Sequence, residues 1–148
     1  MDYKKILRHH LATLAFRTNF AIKGAGNNYS SFSPGNGVRT AKEILFHMTQ
    51  MIKYSENVLL DVPFIKVDIN DWDKICSEFY LSLKKLDATI EKLDTIEDDV
   101  ILKLYQGPLS DCMTHVGQLM TLRRLSKNPV EGINFYREER IKIGYFNY

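Results

Sequence analysis

Long apolar runs, closely spaced cysteines and a large excess of one charge are all missing from this chain of 148 residues. Nothing in it approaches the ~20 consecutive apolar residues of a membrane span, so no membrane segment is expected. The opening Met1-Asp2-Tyr3-Lys4-Lys5 lacks the apolar core of a secretory signal, and the expected location is cytoplasmic. The only two cysteines, Cys76 and Cys112, sit inside helical apolar patterns without C-x-x-C spacing, which predicts reduced, packed thiols and no disulfide. A formal net charge of +2, with basic residues scattered along the chain, removes the electrostatic basis for binding nucleic acid or an anionic membrane. A Ser/His/Asp triad, a phosphate-binding loop and a Gly-rich dinucleotide fingerprint are also missing.

What remains is an ordinary globular composition, 45% hydrophobic and 26% charged, in a length that makes one domain over residues 1–148 with a core of its own. Helical periodicity dominates it. Leu7, Leu11, Leu14, Ala15, Ala21 and Ile22 form one side of a helix over residues 3–22, with Asp2 as its N-cap. A connection rich in Gly, Asn and Ser fills residues 24–38. Thr40-Ala-Lys-Glu43 then spells a capping box, and a helix with a stripe from Ala41 and Ile44 through Met48 and Ile52 to Val58 and Leu59 runs to about Leu60. Asp61-Val-Pro63 breaks it, and Phe64–Ile69 reads as an extended link. After Asn70 or Asp71, the apolar positions from Trp72 and Cys76 through Phe79, Leu83, Leu86 and Ile90 to Leu93 alternate steps of four and three. That is a coiled-coil-like seam for a partner helix in this chain or in a second subunit. Thr95-Ile-Glu-Asp98 has capping-box spacing and predicts a short helix ending before Gly107-Pro108. The tail from Val130 carries Phe135, Tyr136, Tyr145, Phe146 and Tyr148, an aromatic load expected to lie along the bundle or against another subunit. No useful stretch alternates apolar and polar residues, so the expected fold is all-α, an up-and-down four-helix bundle.

The chemistry concentrates after Gly107. Pro108 suits the first turn of a helix, and Asp111 and His115 lie four residues apart on one face of it. At about 100° per residue, His115, Gln118 and Leu122 fall within roughly 40° of Asp111, beside an apolar stripe that includes Leu109, Cys112, Val116 and Leu119. Cys112 points toward the core and is not expected to be a ligand. His47 stands at the margin of the second helix's stripe, near Tyr54 on the wheel. A carboxylate and two imidazoles from two helices suit Zn²⁺, Ni²⁺, Fe²⁺ or Mn²⁺, and three protein ligands leave positions open for water or substrate. The competing reading is a buried Asp–His hydrogen-bonded pair that orders the interior. His10 projects into the first helix's stripe, either as a core-edge residue or lining a site, whereas His9 is solvated. Gly117 is expected to permit a close helix approach. Arg123 is expected to anchor an anionic substrate or cap the helix end, and Arg124 points outward.

The segments Glu43-Ile-Leu-Phe-His47-Met and Asp111-Cys-Met-Thr-His115-Val-Gly-Gln118, with Leu122-Arg-Arg124 and Asn128-Pro-Val130 beyond, resemble the DinB-like (DinB/YfiT) superfamily of four-helix-bundle proteins. The resemblance implies a metal held by His47, Asp111 and His115, with Asp111 standing where many members have histidine. Tyr54, His10, Gln118 and Arg123 become candidates for the substrate side or for support of the ligands. The resemblance further implies a homodimer acting on a small molecule. Its activity would be a thiol S-transferase, with a low-molecular-weight thiol as co-substrate, or a hydrolase. The alternative function is a non-catalytic, stress-related binding or scaffold protein whose His/Asp cluster is structural.

Overall fold

The computed structural model describes residues 2–148, which form the expected all-α four-helix bundle. Four long rods build it: α1 (Tyr3–Ile22), α2 (Ala41–Leu60), α3 (Trp72–Lys92) and, after the short α4 (Asp98–Leu104), α5 (Ser110–Leu125). Three of the starts are capped by the groups their sequences offer. Asp2 Oδ1 accepts from Lys5 N and Asp71 Oδ1 from Lys74 N. Thr40 and Glu43 close a reciprocal box in which Glu43 Oε2 accepts from Thr40 N at 2.7 Å and Thr40 Oγ1 accepts from Glu43 N at 3.2 Å. The box expected at Thr95 does not form; α4 begins after Glu97 with no side-chain cap.

Around the ring, α1 packs on α3 and α5, and α2 packs on the same two helices from the other side. Contacts fix the directions. Arg8 meets Asp87 and Lys4 meets Glu91, so α1 and α3 are antiparallel. His47 meets Asp111, while Met51 and Tyr54 face Gln106 and Pro108, so α2 and α5 are antiparallel. Lys53 pairs with Glu78 and Glu56 with Thr89, residue numbers rising together, so α2 and α3 run the same way and the order is up-down-down-up, not the simple up-and-down alternation expected. The eleven-residue strap 61–71 makes this feasible, because extended chain covers about 3.3 Å per residue and thus the ~30 Å length of a 20-residue helix. Asn57 Nδ2 donates to Pro63 O and Gln50 Nε2 to Val67 O, tying the strap back onto α2.

Leu7, Leu11, Leu45, Met48, Phe79 and Leu119 are among the fully buried side chains that fill the centre. The α3 seam holds through Phe79, Leu83, Leu86 and Ile90, but at its start Ile75 is buried while Trp72 and Cys76 are half-exposed. A straight helix drifts about 20° per heptad against a 3.5-residue repeat, and that drift carries the buried face from one edge of the pattern to the other. On α2, Val58 leaves the core and is exposed, while Leu59 still packs against it. The tail lies along its own bundle: Phe135 stands edge-on to Phe16 and Phe20, Tyr148 edge-on to Phe16, and the Arg17 guanidinium sits 4.1 Å from the Phe135 ring.

The expected break before Gly107-Pro108 takes an unexpected form. Instead of a loop, Tyr105–Leu109 form a π turn that carries the backbone from α4 straight into α5, with Gly107 alone leaving helical angles (φ −104°, ψ −107°). Pro108 donates no hydrogen bond, so the widened turn there forfeits little. Its consequence is positional: α5 restarts one residue before Asp111 at a new angle.

Candidate metal centre

His47, Asp111 and His115 converge between α2 and α5, and one ligand atom from each lies within 4.8 Å of the others. The Thr40–Glu43 box sets where α2 begins, and His47 follows about one and a half turns later on the face toward α5. One residue further on, Cys112 Sγ donates to Met48 O at 3.7 Å, which marks how closely the two helices pack at this level. His47 Nε2 donates to Asp111 Oδ2 at 2.9 Å, and His115 Nε2 lies 3.5 Å from the same oxygen. The two imidazole planes stand nearly perpendicular, 5.0 Å between centroids.

Gln118 Oε1 accepts from His115 Nδ1 at 2.8 Å. An amide oxygen can only accept, so the Nδ1 proton is fixed and, in the neutral ring, the Nε2 lone pair faces Asp111. Metal-binding histidines are characteristically held this way, by a carbonyl or carboxylate on the far nitrogen. The spacing also suits an ion. Tetrahedral ligands at 2.0–2.2 Å stand roughly 3.3–3.6 Å apart, so the separation of His115 and Asp111 already fits, while His47 has to back away from Asp111 by about half an ångström and give up the Nε2 proton it donates there.

Exposure separates this cluster from a structural pair. The side chains of His47 and Asp111 are 30% and 45% exposed, and ion pairs that wet contribute about 0–1 kcal/mol to folding. Its contribution to stability is therefore small, and its accessibility is what a ligand-binding site needs. Two clefts open on it. One, of about 620 Å³, runs between α2 and the π turn, bounded by Met51, Tyr54, Pro108, Asp111 and Thr114. The other, of about 400 Å³, lies between α2 and the strap and includes His47, Phe46, Gln50, Phe64 and Lys66. Met51 borders both, and the edge-to-face pair of Tyr54 and Phe64 joins their walls.

Tyr54, on the wheel a neighbour of His47, lines the cleft that also holds Asp111, and Gln118 supports His115. Two other candidates do not reach the site. His10 packs edge-on against Tyr105 beneath the π turn, its Nε2 buried with no partner among the described residues. Burial pushes its pKa down, partly offset by the Leu109 carbonyl, so it is a neutral core-edge residue. Arg123 is buried eight residues beyond His115, about 12 Å along the helix, donating to the carbonyls of Ala21, Lys23 and Asn128. It ties the ends of α1 and α5 together and meets no substrate. Gly117 is also corrected: it is exposed and a Cβ there would touch nothing within 4 Å, so it serves no close helix approach.

The thiols behave as expected of packed groups. Burial pushes Cys76 up to about 12 and Cys112 higher still, so neither is a nucleophile near neutral pH. Sequence reasoning missed the strap's part in the site, because Phe64 and Lys66 carry no periodic signal and reach His47 only through the tertiary path of residues 61–71. Among the described residues no helix is long and apolar enough to cross a membrane. Comparisons with family models, curated proteins and solved structures return no match for this chain.

Proposed function

We propose that this protein is a metal-dependent enzyme in which His47, Asp111 and His115 hold a divalent transition ion, Zn²⁺, Ni²⁺, Fe²⁺ or Mn²⁺, for thiol transfer or hydrolysis of a small molecule. One observation carries the reading: two imidazoles from different helices and one carboxylate place their ligand atoms within 4.8 Å of one another, with His47 and Asp111 partly exposed to two clefts. A bound ion of this kind supplies Lewis acidity, favouring the deprotonated form of a coordinated water or low-molecular-weight thiol near neutral pH.

The chain's own residues do the rest. Gln118 holds the Nδ1 proton of His115 and so commits Nε2 to the site. Asp111 contributes one negative charge and a hard oxygen, which favours harder ions than an all-histidine site does. Tyr54 and Met51 form the wall against which a substrate lies. No protein thiol competes as nucleophile, since both cysteines stay protonated. The similarity of the His47 and Asp111–Gln118 segments to the DinB-like superfamily supports the same reading and adds a homodimer, which light scattering tests directly.

Metal analysis of protein purified without a histidine tag is the decisive measurement. We expect about one divalent ion per chain in the parent and loss of most of it in His47→Ala or His115→Ala, as for any removed ligand. Equal trace metal in all three proteins leaves the scaffold reading in its place. Transfer assays with several thiols and electrophiles, run beside ester and amide hydrolysis, then separate the two chemistries.

A further inference from the structure

The two clefts beside the metal cluster differ in charge, and the difference assigns an orientation to the substrate. On the Asp111 side the wall holds no cation: Met51, Tyr54, Gln106, Pro108, Ser110 and Thr114 are neutral. On the His47 side, Arg39 and Lys66 line the cleft together with Phe46 and Phe64. Lys66 is held there by the strap, which Gln50 pins through Val67 O, and its Nζ lies 5.6 Å from the centroid of Phe46. Among the described residues neither Arg39 nor Lys66 has a carboxylate within the 4.0 Å of an ion pair. The one acid of this wall, Glu43, turns an oxygen back onto Thr40 N and Oγ1 to cap α2, which leaves the rim with a surplus of one positive charge. A lysine outside any ion pair and above an aromatic ring, with an arginine on the same wall and a cluster of ligands beside it, has the features of a seat for an anion carried on an apolar body.

We infer that the cleft between α2 and the strap binds the carboxylate or phosphate of an aromatic or similarly flat small molecule through Arg39 and Lys66. The neutral part of that molecule extends past His47 into the Asp111-side cleft. This rests on the metal-site reading for its chemistry, but the anion seat depends on different residues and is tested separately.

The test is calorimetric titration of the full chain, loaded with Zn²⁺ and metal-free, with phenyl phosphate, phenylacetate, benzamide and benzylammonium. We expect both anions to bind the parent, phenyl phosphate or phenylacetate tighter according to which anion the seat is built for, and the amide and ammonium to bind weakly. Reversing both cleft charges in R39E/K66E weakens anion binding by about tenfold or more, as expected for charges within a few ångströms of a bound anion. The milder R39Q/K66Q falls between. The same charge change on exposed positions of α3, K84E/K85E, shifts it less than about threefold through screened long-range field alone. Equal weakening in the α3 and cleft variants, or benzamide binding as tightly as the anions, overturns the assignment. Zinc content of each protein keeps the two readings apart. Charge-dependent anion binding by a chain that retains no zinc preserves the seat and ends the metal reading; full zinc content with charge-blind binding does the reverse.

Discussion

At the scale of single residues, the site depends on what each hydrogen bond leaves free. Gln118 is exposed and touches the cluster only through the Nδ1 proton of His115, yet it decides which nitrogen faces the ion. Replacing such a partner typically costs 10–100-fold in metal affinity. Gln118→Leu is therefore expected to weaken Zn²⁺ binding by that factor in competition with a chromophoric chelator, and Gln118→Glu, which keeps an acceptor, to retain it. Unchanged affinity in Gln118→Leu would mean that packing alone orients His115. The thiols make a second prediction. With burial holding Cys76 at about 12, against an ordinary 9.0, its thiolate at pH 8 is about a thousandfold scarcer than in the unfolded chain. A disulfide reagent should consume both thiols within minutes in denaturant and far more slowly in the native protein, with a rate that climbs as pH rises. Two fast thiols in the native state would contradict the packing. The helical wheel brought Asp111, His115 and Gln118 to one face, and His47 and Tyr54 to one face of the other helix, because on a regular helix residue number sets direction. It failed for Arg123, since burial of a long side chain by the ends of two other segments leaves no periodic trace.

At the scale of elements, each helix carries its own start signal, and three of four long rods use it. Their mutual placement depends on a few polar ties. Asp87 on α3 is 4% exposed and receives two hydrogen bonds of 2.9 Å from Arg8 on α1. Removing the partner of a buried charge costs about 3–5 kcal/mol, toward the lower end here because Arg8 is partly wet. Arg8→Ala should lower the urea midpoint accordingly, and Arg8→Ala with Asp87→Leu should recover part of the loss by removing the stranded carboxylate. A single variant with parental stability would show that water solvates Asp87 well enough. The π turn is the element least visible beforehand. Gly107-Pro108 announces a break, but whether the chain loops out or merely widens by one residue depends on how α4 and α5 pack against α2 and on the Ser110 hydroxyl donating to Tyr105 O.

At the scale of the whole molecule, the cluster joins α2 to α5, so a ligand for it links to global stability. An ion present at about 100 times its dissociation constant adds roughly 2.7 kcal/mol, which for a chain of this size raises the melting temperature by about 5–10 °C. The rise should vanish in His47→Ala and reverse on adding a chelator to the parent; an equal rise in that variant would place the ion elsewhere. The sequence by itself determined the four long helices, the caps of three of them, the single core and the face that bears Asp111 and His115, because these follow from spacing along one chain and from local hydrogen bonding. Only the tertiary structure decided that α2 and α3 run the same way, that His47 meets Asp111, that the aromatic tail folds onto α1, and that Lys66 overhangs the cleft. Those facts depend on distances between segments remote in sequence, where many arrangements satisfy the same local pattern and packing selects among them.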